Sequence, residues 1–557
     1  MKLMSQLKSA RGMLYRKLKR KKQEEIHYKP QSRAETMLNI LRYAKPEKNR
    51  NKEKYPPFKV LPSLKILSVK WDKSRPVNYS LIRPYVYVSI RWNPGTNDTI
   101  YNVIEPKLSE REKKVLQKIK IGLTQSIDIS FDKIKNADKM VNFLEISTKK
   151  LLMDYGITLS DQEYLNVMYY LYRNFIGLNQ IEPLLEDPLI EDISCDGTNT
   201  PIFIVHRKLG SVRTNIIFED GLELKEFVIK MAERCDRYIS YAEPLLDGSL
   251  PDGTRVQASL SQDVTTRGPT FSIRKFSKEP LTPIDLIDLG TCSLDMMAYL
   301  WIAVENGVNI LITGGTSTGK TTLLNAICMF IDPNSKIVSI EDTREINLSH
   351  ENWIPGVTRS GFTGTEIGEI SMFDLLKESF RQNPDYLIVG EVRGEEAAIM
   401  FQGMASGHAS ISTMHAGSIN DMIKRLITRP IDLSPSLIEV LDLIIVMIHS
   451  KEKGRRIKEI SELGAFDPIT KDIDSESVFK WNPAEDSFGY AEHSKTFDKI
   501  LNEKGITKEK IKEESERKKQ ILQWMIDRKV SSWKDVAKYI VLYTKDPEKF
   551  MKTMNKV

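Results

Sequence analysis

The sequence predicts an α/β protein in which a parallel-sheet domain follows a smaller α+β domain and a largely helical front region. A short apolar segment, Val308–Thr313, leads into a glycine-rich loop and then into a helical pattern. Two later apolar segments, "KIVSIED" and "YLIVGE", bring acidic residues to their ends at Glu341 and Glu391. An order of strand, loop, helix and strand is typical of a parallel sheet with helices on both faces.

The local patterns favour five regions along the 557 residues. Alternating apolar residues, as in "YVYVSI", precede helical patterns in the front region, and a hairpin pattern at Ile202–Phe218 is followed by a helical pattern at Leu222–Arg234. Charged helical patterns follow the parallel-sheet domain. We expect a basic arm and linker at 1–60, a mixed and then helical region at 61–177, the α+β domain at 178–280, the parallel-sheet domain at 281–460 and a helical C-terminal region at 461–557.

The composition, with 41% hydrophobic and 28% charged residues, is that of a globular protein. Apolar runs such as Leu441–Ile448 are far shorter than the ~18 residues of a membrane-spanning helix, and the amino terminus lacks the apolar core of a secretory signal. We therefore expect a cytoplasmic protein. The cysteines lack the paired spacing of a zinc site, so we expect buried thiols at Cys195, Cys235, Cys292 and Cys328.

The positive charge of the chain is concentrated in the first 60 residues. They hold 18 lysines and arginines against 5 acidic residues, whereas the whole chain carries a net charge of +7. Leu3, Leu7, Leu14 and Leu18 fall at helical spacing within this arm, which suits an anionic membrane surface or an acidic partner. A solvated tail is the alternative. Nucleic acid is not expected, because no binding motif or aromatic interleaving accompanies the charge.

The segment "GGTSTGKTT" fits the G-x-x-x-x-G-K-[ST] pattern, in which backbone N–H groups cradle nucleotide phosphates; we call it the P-loop. It lies between an apolar strand and a helix, as this mechanism requires. We expect Lys320 to contact the β- and γ-phosphates of ATP or GTP and Thr321 to bind Mg²⁺. The expected nucleotide-binding residues are Gly314, Gly315, Thr316, Ser317, Thr318, Gly319, Lys320, Thr321 and Thr322.

Acidic residues at two strand ends are expected at the same sheet edge as the P-loop. Glu341 and Asp342 end one strand, and Glu391 ends a later one. A carboxylate at a strand end near Mg²⁺ can hold the water shell of the ion or orient an attacking water, so these positions suit hydrolysis. The alternative is that they cap helices or lie as surface charges.

Two histidines, His408 and His415, lie seven residues apart in "GHASISTMHAGS". Metal binding would require acidic or cysteine companions at short spacing, and these are missing. Lone histidines commonly form structural hydrogen bonds. Beside the expected γ-phosphate edge, they would instead detect whether the phosphate is present.

In this order and spacing, "GGTSTGKTT", "SIEDTREI", "RQNPDYLIVGEVRGEEA" and "GHASISTMHAGS" resemble the Walker A, Asp box, Walker B and His box of the type II/type IV secretion superfamily ATPases. These are hexameric motors of type II secretion, type IV pili and archaella. The resemblance extends to "EPLLEDPLIEDISCDG" and "PDGTRVQASL" and covers about residues 160–557. It implies a RecA-like motor domain preceded by an α+β, PAS-like domain.

The resemblance also implies roles for individual residues. Glu341 matches the Asp-box glutamate that polarises the attacking water, and Glu391 matches the Walker B glutamate that assists Mg²⁺. His408 and His415 match the His box, which couples the γ-phosphate to conformation. The family places nucleotide-closing arginines in the preceding domain, where Arg255, Arg267 and Arg274 lie; surface ion pairs are the alternative. Other arginines flanking the boxes are Arg344, Arg381 and Arg393.

The resemblance implies an ATP- and Mg²⁺-dependent homo-hexamer that assembles a type IV pilus-like filament through an integral membrane platform protein. Such a motor is cytoplasmic and peripheral to the membrane. No zinc is expected, because the tetracysteine module of bacterial type II secretion motors is missing. The alternatives are an archaellum motor, a type IV secretion or conjugation motor, and a nucleotide-gated scaffold without turnover.

Overall fold

A computed structural model describes residues 55–61, 75–126, 137–276, 279–359, 368–467, 472–491, 493–530 and 532–554. The helical spacing of leucines predicted for the basic arm lies outside these residues. The chain divides into two compact units. In the first, which comprises residues up to 58 and 159–165, the ring of Tyr55 stacks on that of Tyr164 at 4.4 Å, and its hydroxyl accepts a hydrogen bond from the Leu159 N–H at 3.2 Å.

The front region is mixed and then helical, as expected. Its strands form an antiparallel meander in which buried and exposed residues largely alternate. A π-helical turn, Tyr172–Ile176, ends the last long helix before Gly177. The elements are β1 (Val77–Ile82), β2 (Val86–Asn93), β3 (Asp98–Ile104), α1 (Glu110–Ser126), α2 (Ala137–Asp154) and α3 (Asp161–Leu171).

The α+β domain contains the predicted hairpin and helix. Its helix buries Leu224, Phe227 and Met231, and Asp220 caps the helix by accepting a hydrogen bond from the Leu222 N–H. The elements, beginning with a short helix, are α4 (Glu182–Glu186), β4 (Ile190–Cys195), β5 (Pro201–His206), β6 (Gly210–Ile217), α5 (Gly221–Arg234), β7 (Leu245–Ser249), β8 (Arg255–Ser259) and β9 (Thr270–Arg274).

The strands of the front region and of the α+β domain belong to one sheet. Its order is β1-β2-β3-β6-β5-β4-β9-β8-β7, and β3 joins β6 in parallel where Tyr101 pairs with Thr214. The expected boundary at 177 therefore does not separate two sheets. Local alternation of apolar residues predicts strands but does not tell which strands pair. The joining of the two sets of strands into one sheet was therefore not predictable from the sequence.

The parallel-sheet domain contains the predicted parallel sheet. The order is β12-β11-β13-β14-β10-β15-β16-β17-β18, with every pair parallel from β12 to β15. One strand, β14, lies between the P-loop strand β10 and β13. The parallel strands are β10 (Ile310–Gly314), β11 (Ile337–Glu341), β12 (Trp353–Val357), β13 (Tyr386–Val392), β14 (Ala409–His415) and β15 (Leu443–Ser450).

Helices cover this parallel sheet, and its apolar side chains belong to two core clusters. Ile310 and Ile312 belong to one cluster, and Leu311 belongs to the other, because successive strand residues point to opposite faces. This arrangement confirms the α/β class. The helices are α6 (Pro283–Asp288), α7 (Leu294–Glu305), α8 (Lys320–Cys328), α9 (Met372–Arg381), α10 (Glu396–Ala405), α11 (Ile419–Ile427) and α12 (Pro435–Ile438).

The C-terminal region was expected to be helical from residue 461, but it begins with strands. Three antiparallel strands extend the parallel sheet to Tyr490, so the sheet continues past 460. These strands are rich in charged residues, but they also carry apolar side chains that are buried, among them Ile457 and Ile460. The elements are β16 (Gly454–Asp467), β17 (Asp472–Asn482), β18 (Ser487–Tyr490), α13 (Lys495–Lys504), α14 (Lys508–Asp527), α15 (Trp533–Lys545) and α16 (Pro547–Met554).

The C-terminal helices share the core of this extended sheet. Ile521, Leu522 and Met525 of α14 are buried in the same cluster as Trp301 of α7. The buried Lys518 of α14 pairs with Glu305 of α7. All four cysteines are buried and free. In the described ranges, we find no helix whose length and apolar content together suffice to span a bilayer.

Candidate active site

The P-loop has a backbone shape that requires glycine at two positions. At Gly314, which ends β10, a Cβ atom would lie 2.6 Å from Thr318 Oγ1 and 2.7 Å from the carbonyl oxygen of Met447. Gly319 has φ +93° and precedes α8, whose first turn receives no side-chain cap in the described structure. Uncapped N–H groups at the start of a helix form a ready anion site, so this loop is shaped for phosphate.

Lys320 lies at the start of α8 and folds back over the P-loop. Its ammonium donates to the carbonyl oxygens of Gly314 at 3.2 Å and Gly315 at 2.9 Å. The residue is 8% exposed, and burial lowers the pKa of its ammonium, an effect that the nearby Glu391 and Glu345 oppose. The cation is therefore held beside the loop rather than in solvent.

Glu341 ends β11 as a buried carboxylate that is 2% exposed. Its Oε1 atom accepts hydrogen bonds from the N–H groups of Glu345 at 2.8 Å and Ile346 at 2.9 Å. Its Oε2 atom is buried and has no hydrogen-bond partner among the described residues. Burial raises the pKa of Glu341 to about 7. Such a carboxyl can exchange a proton near neutral pH.

Glu391 and His415 lie together at the P-loop edge of the sheet. His415 pairs with Gly314 across β14 and β10, and its Nε2 atom is 3.4 Å from Glu391 Oε1. The other oxygen, Oε2, accepts a hydrogen bond from Arg393 Nη2 at 2.6 Å. Burial and the positive charge of Lys320 lower the pKa of His415, so its imidazole is neutral at pH 7.

The expectation for His408 is wrong within this chain. His408 precedes β14, whereas His415 ends it, and seven residues of strand separate them by about 23 Å. His408 Nδ1 lies 3.0 Å from the carbonyl oxygen of Pro384, and its ring stacks on Phe380. Because β14 is parallel to β10, the two histidines lie at opposite edges of the sheet, and only His415 reaches the P-loop edge.

The three arginines of the α+β domain lie on its sheet and in the loop before β9. Arg255 and Arg274 are cross-strand neighbours on β8 and β9, and they form exposed ion pairs with Asp247 at 3.0 Å and Asp192 at 3.2 Å. Arg267 is exposed, and its backbone carbonyl accepts a hydrogen bond from Thr198 at 2.9 Å. Among the described residues, none of the three contacts the P-loop, and their role in closing over nucleotide stays a prediction.

Two of the arginines that flank the boxes lie away from the Glu391 pair. The guanidinium of Arg344 lies 5.8 Å from the ring centroids of both Phe276 and Trp353. Arg381 lies within an exposed pair on α9, 3.6 Å from Glu378. Arg393, by contrast, contacts Glu391 directly and belongs to the site.

Arg455, which no sequence pattern indicated, also contacts the P-loop. Its Nε atom donates to the Ser317 carbonyl oxygen at 3.1 Å. Arg455 lies in β16, and β15 connects it to the site by pairing with β10. The only available signal was its position after the apolar run of β15, and that signal does not show which strand β15 joins.

The oxygen atoms at this edge fit a magnesium ion. Thr321 supplies a hydroxyl at the start of α8, and Glu391 Oε1 is a buried oxygen without a hydrogen-bond partner in the described structure. Mg²⁺ prefers such oxygen ligands and usually keeps several waters alongside nucleotide phosphates. No group of three or more histidine, cysteine or acidic residues that could hold a metal is found in the described ranges. A magnesium site that is completed by nucleotide phosphates and water does not need such a group.

The parallel sheet, the P-loop and the acidic strand ends define a P-loop nucleotide-binding protein. A profile of the family described as Type II/IV secretion system protein matches residues 177–469. The uncharacterized protein MJ0900 of Methanocaldococcus jannaschii is 34% identical over 484 residues, which are 82% of this chain and 86% of that protein. The chain therefore belongs to the type II/IV secretion system protein family, a family of ATPases, and the resemblance is confirmed.

Further similarities lie in bacterial secretion systems. The type IV secretion system protein PtlH of Bordetella pertussis is 32% identical over 261 residues, which are 40% of this chain and 76% of that protein. The solved VirB11 ATPase of the Brucella suis type IV secretion system is 26% identical, covering 52% of this chain and 94% of its own, with a TM-score of 0.27.

Proposed function

We propose that this chain is a Mg²⁺-dependent ATPase that acts as a homo-hexamer and powers assembly of a type IV pilus-like filament through an integral membrane platform protein. The observation that carries the ATPase proposal is Glu341. This buried carboxylate, whose Oε2 atom has no hydrogen-bond partner among the described residues and whose pKa is about 7, lies on the parallel sheet that holds the P-loop. A scaffold that binds nucleotide without turnover has no use for such a group.

The proposed chemistry is hydrolysis of ATP to ADP and phosphate. Lys320 and the N–H groups of the P-loop bind the phosphate chain and favour the negative charge that develops there. Glu341 accepts a proton from water as the water oxygen bonds to the γ-phosphorus and the bond to the β-phosphate oxygen breaks. Bound at Thr321 and Glu391, Mg²⁺ would offset phosphate charge.

We assign His415 a positioning role between Glu391 and the P-loop. Its neutral imidazole adds no charge beside Lys320, and its backbone is fixed because the carbonyl oxygen accepts a hydrogen bond from Arg425 at 2.5 Å. A change in the γ-phosphate would move β14 and its neighbours together. In this proposal, Arg255, Arg267 and Arg274 approach the nucleotide when the α+β domain closes.

A cytoplasmic motor that is peripheral to the membrane would meet its platform protein at the membrane surface. We propose that the basic arm, residues 1–60, contributes to this contact because its charge suits anionic lipid. To test the arm, the full chain and a chain lacking residues 1–60 are purified from cells, and each is examined for co-purification of an integral membrane protein. Loss of the membrane protein supports the proposal, and equal recovery contradicts it.

A type IV secretion motor is the second candidate, favoured by the similarity to PtlH. The two candidates differ in what the cell loses when the protein is removed. Deletion in the native host, with electron microscopy of the cell surface, is expected to abolish a filament. Unchanged filaments together with lost export of protein or DNA would favour the secretion motor.

The ATPase proposal is tested by phosphate release from the purified full chain. Lys320→Ala is expected to abolish release, and Glu341→Gln is expected to lower it by at least about a hundredfold, the usual contribution of general base catalysis. Lys504→Ala and Glu503→Gln are matched controls, because both side chains are exposed on α13. Omission of Mg²⁺ should also stop release. Unchanged release by Lys320→Ala or Glu341→Gln would exclude the proposed mechanism.

A further inference from the structure

Arg455 lies across the P-loop from the side of the β15–β16 hairpin. Its Nε atom donates to the carbonyl oxygen of Ser317, and its Cδ atom is 3.2 Å from the position that a Cβ atom on Gly319 would occupy. Ser317–Gly319 immediately precede the helix start that forms the anion site. A guanidinium at this place adds a positive charge to a loop whose backbone is already shaped for phosphate.

The same guanidinium also approaches an acidic residue of the α+β domain. Arg455 Nη2 lies 3.8 Å from Glu191 Oε2, and Glu191 on β4 is also 3.7 Å from Arg207 Nε. The side chains of Arg455 and Glu191 are 40% and 32% exposed. A pair that is this long and this exposed is weak, because water screens the two charges. Arg455 is therefore free to exchange Glu191 for a stronger anion.

We propose that Arg455 binds a phosphate group of the nucleotide and leaves Glu191 when it does so. The phosphate chain carries several negative charges, and a guanidinium can form two parallel hydrogen bonds with phosphate oxygens. Exchange of partners would release a contact between the P-loop and the α+β domain each time nucleotide binds. The inference rests on the proposed nucleotide binding at the P-loop. It adds a residue whose contact with the α+β domain depends on whether nucleotide is bound.

The test is a titration of the purified full chain with fluorescent mant-ADP in the presence of Mg²⁺. Arg455→Ala is expected to raise the Kd by about ten- to a hundredfold, the loss expected for a charge-assisted hydrogen bond. Arg455→Lys keeps the charge and should recover part of the affinity. Glu191→Gln removes the competing carboxylate and should lower the Kd by about two- to fivefold. Arg429→Ala is the matched control, because that side chain is 91% exposed.

The double variant separates competition from a general charge effect. If Glu191 acts through Arg455, Glu191→Gln changes the Kd in the wild-type background and has no effect in Arg455→Ala. An equal effect in both backgrounds, or wild-type affinity in Arg455→Ala, would overturn the inference. Lys320→Ala is the reference: lost binding there with normal binding in Arg455→Ala refutes only the role of Arg455. Failure of the wild-type chain to bind mant-ADP would overturn both proposals.

Discussion

Replacement of Glu341 by glutamine should stabilise the protein, and by more at high pH. Burial raises the pKa of this carboxyl from 4.5 to about 7, so the native state retains a proton that the unfolded chain releases between these values. The free energy of unfolding therefore falls as pH rises from 4.5 to 7, and the full cost is present above 7. Glutamine resembles the protonated carboxyl and does not incur this cost.

The magnitude follows from the two pKa values. Linkage gives a cost of ionising Glu341 of about 0.8 kcal/mol at pH 5 and about 3.3 kcal/mol at pH 8. Glu341→Gln should therefore gain about 2.5 kcal/mol more at pH 8 than at pH 5. In a domain of roughly 150–250 residues, such as the parallel-sheet domain that holds Glu341, a change of 1 kcal/mol moves the Tm by about 2–4 °C. The Tm should therefore rise by about 7–13 °C at pH 8 and by about 2–3 °C at pH 5.

Thermal unfolding followed by calorimetry at the two pH values measures this difference. Titration of the other groups is common to both proteins, so it cancels in the comparison. Glu503→Gln, at an exposed position on α13, should leave the Tm unchanged at both pH values. Equal Tm shifts for Glu341→Gln at pH 5 and pH 8 would show that Glu341 does not carry a raised pKa, and the argument for it as a base near neutral pH would fail.

Three further predictions concern activity and binding. Phosphate release should rise with pH through about 7, by roughly tenfold per pH unit below that value, because Glu341 accepts a proton only when ionised; a flat profile from pH 5 to 8 would contradict this. His415→Ala should lower phosphate release by roughly ten- to a hundredfold, whereas His408→Ala, at the opposite edge, should leave it within about twofold; equal losses would refute the geometry. Gly314→Ala should weaken mant-ADP binding by more than about tenfold because of the clash with Thr318 and Met447, whereas Gly489→Ala, whose added Cβ would meet only an ordinary contact at 3.7 Å, should bind normally; titration checks both.

The P-loop edge was predictable because its signals are local. Glycine at positions 314 and 319 is required by the backbone shape, and carboxylates that end parallel strands must lie at one edge. The burial of Glu341 could not be predicted, nor could the absence of a partner for its Oε2 atom in the described part of the chain. Both depend on how β11, β13 and the backbone of residues 345 and 346 pack around the side chain.

The errors have a different physical origin. His408 and His415 are close in sequence, yet an extended strand carries its two ends to opposite edges of the sheet. The region from 461 was predicted to be helical, but the end of β16, β17 and β18 are strands, for which one apolar side chain in two is enough to form a buried face. Arg455 reaches the site only through the pairing of β15 with β10, which joins segments more than a hundred residues apart.

Because α14 packs against Trp301, the carboxyl-terminal helices form part of the interior of the parallel-sheet domain. Lys518 has its charge partner on α7, and Ile521, Leu522 and Met525 occupy the same core as that helix. Exchange of this tail between relatives would therefore require exchange of its α7 partners as well. Substitutions on the solvent-facing side of these helices leave the shared core intact. Differences in partner binding between relatives can therefore arise there without loss of the fold.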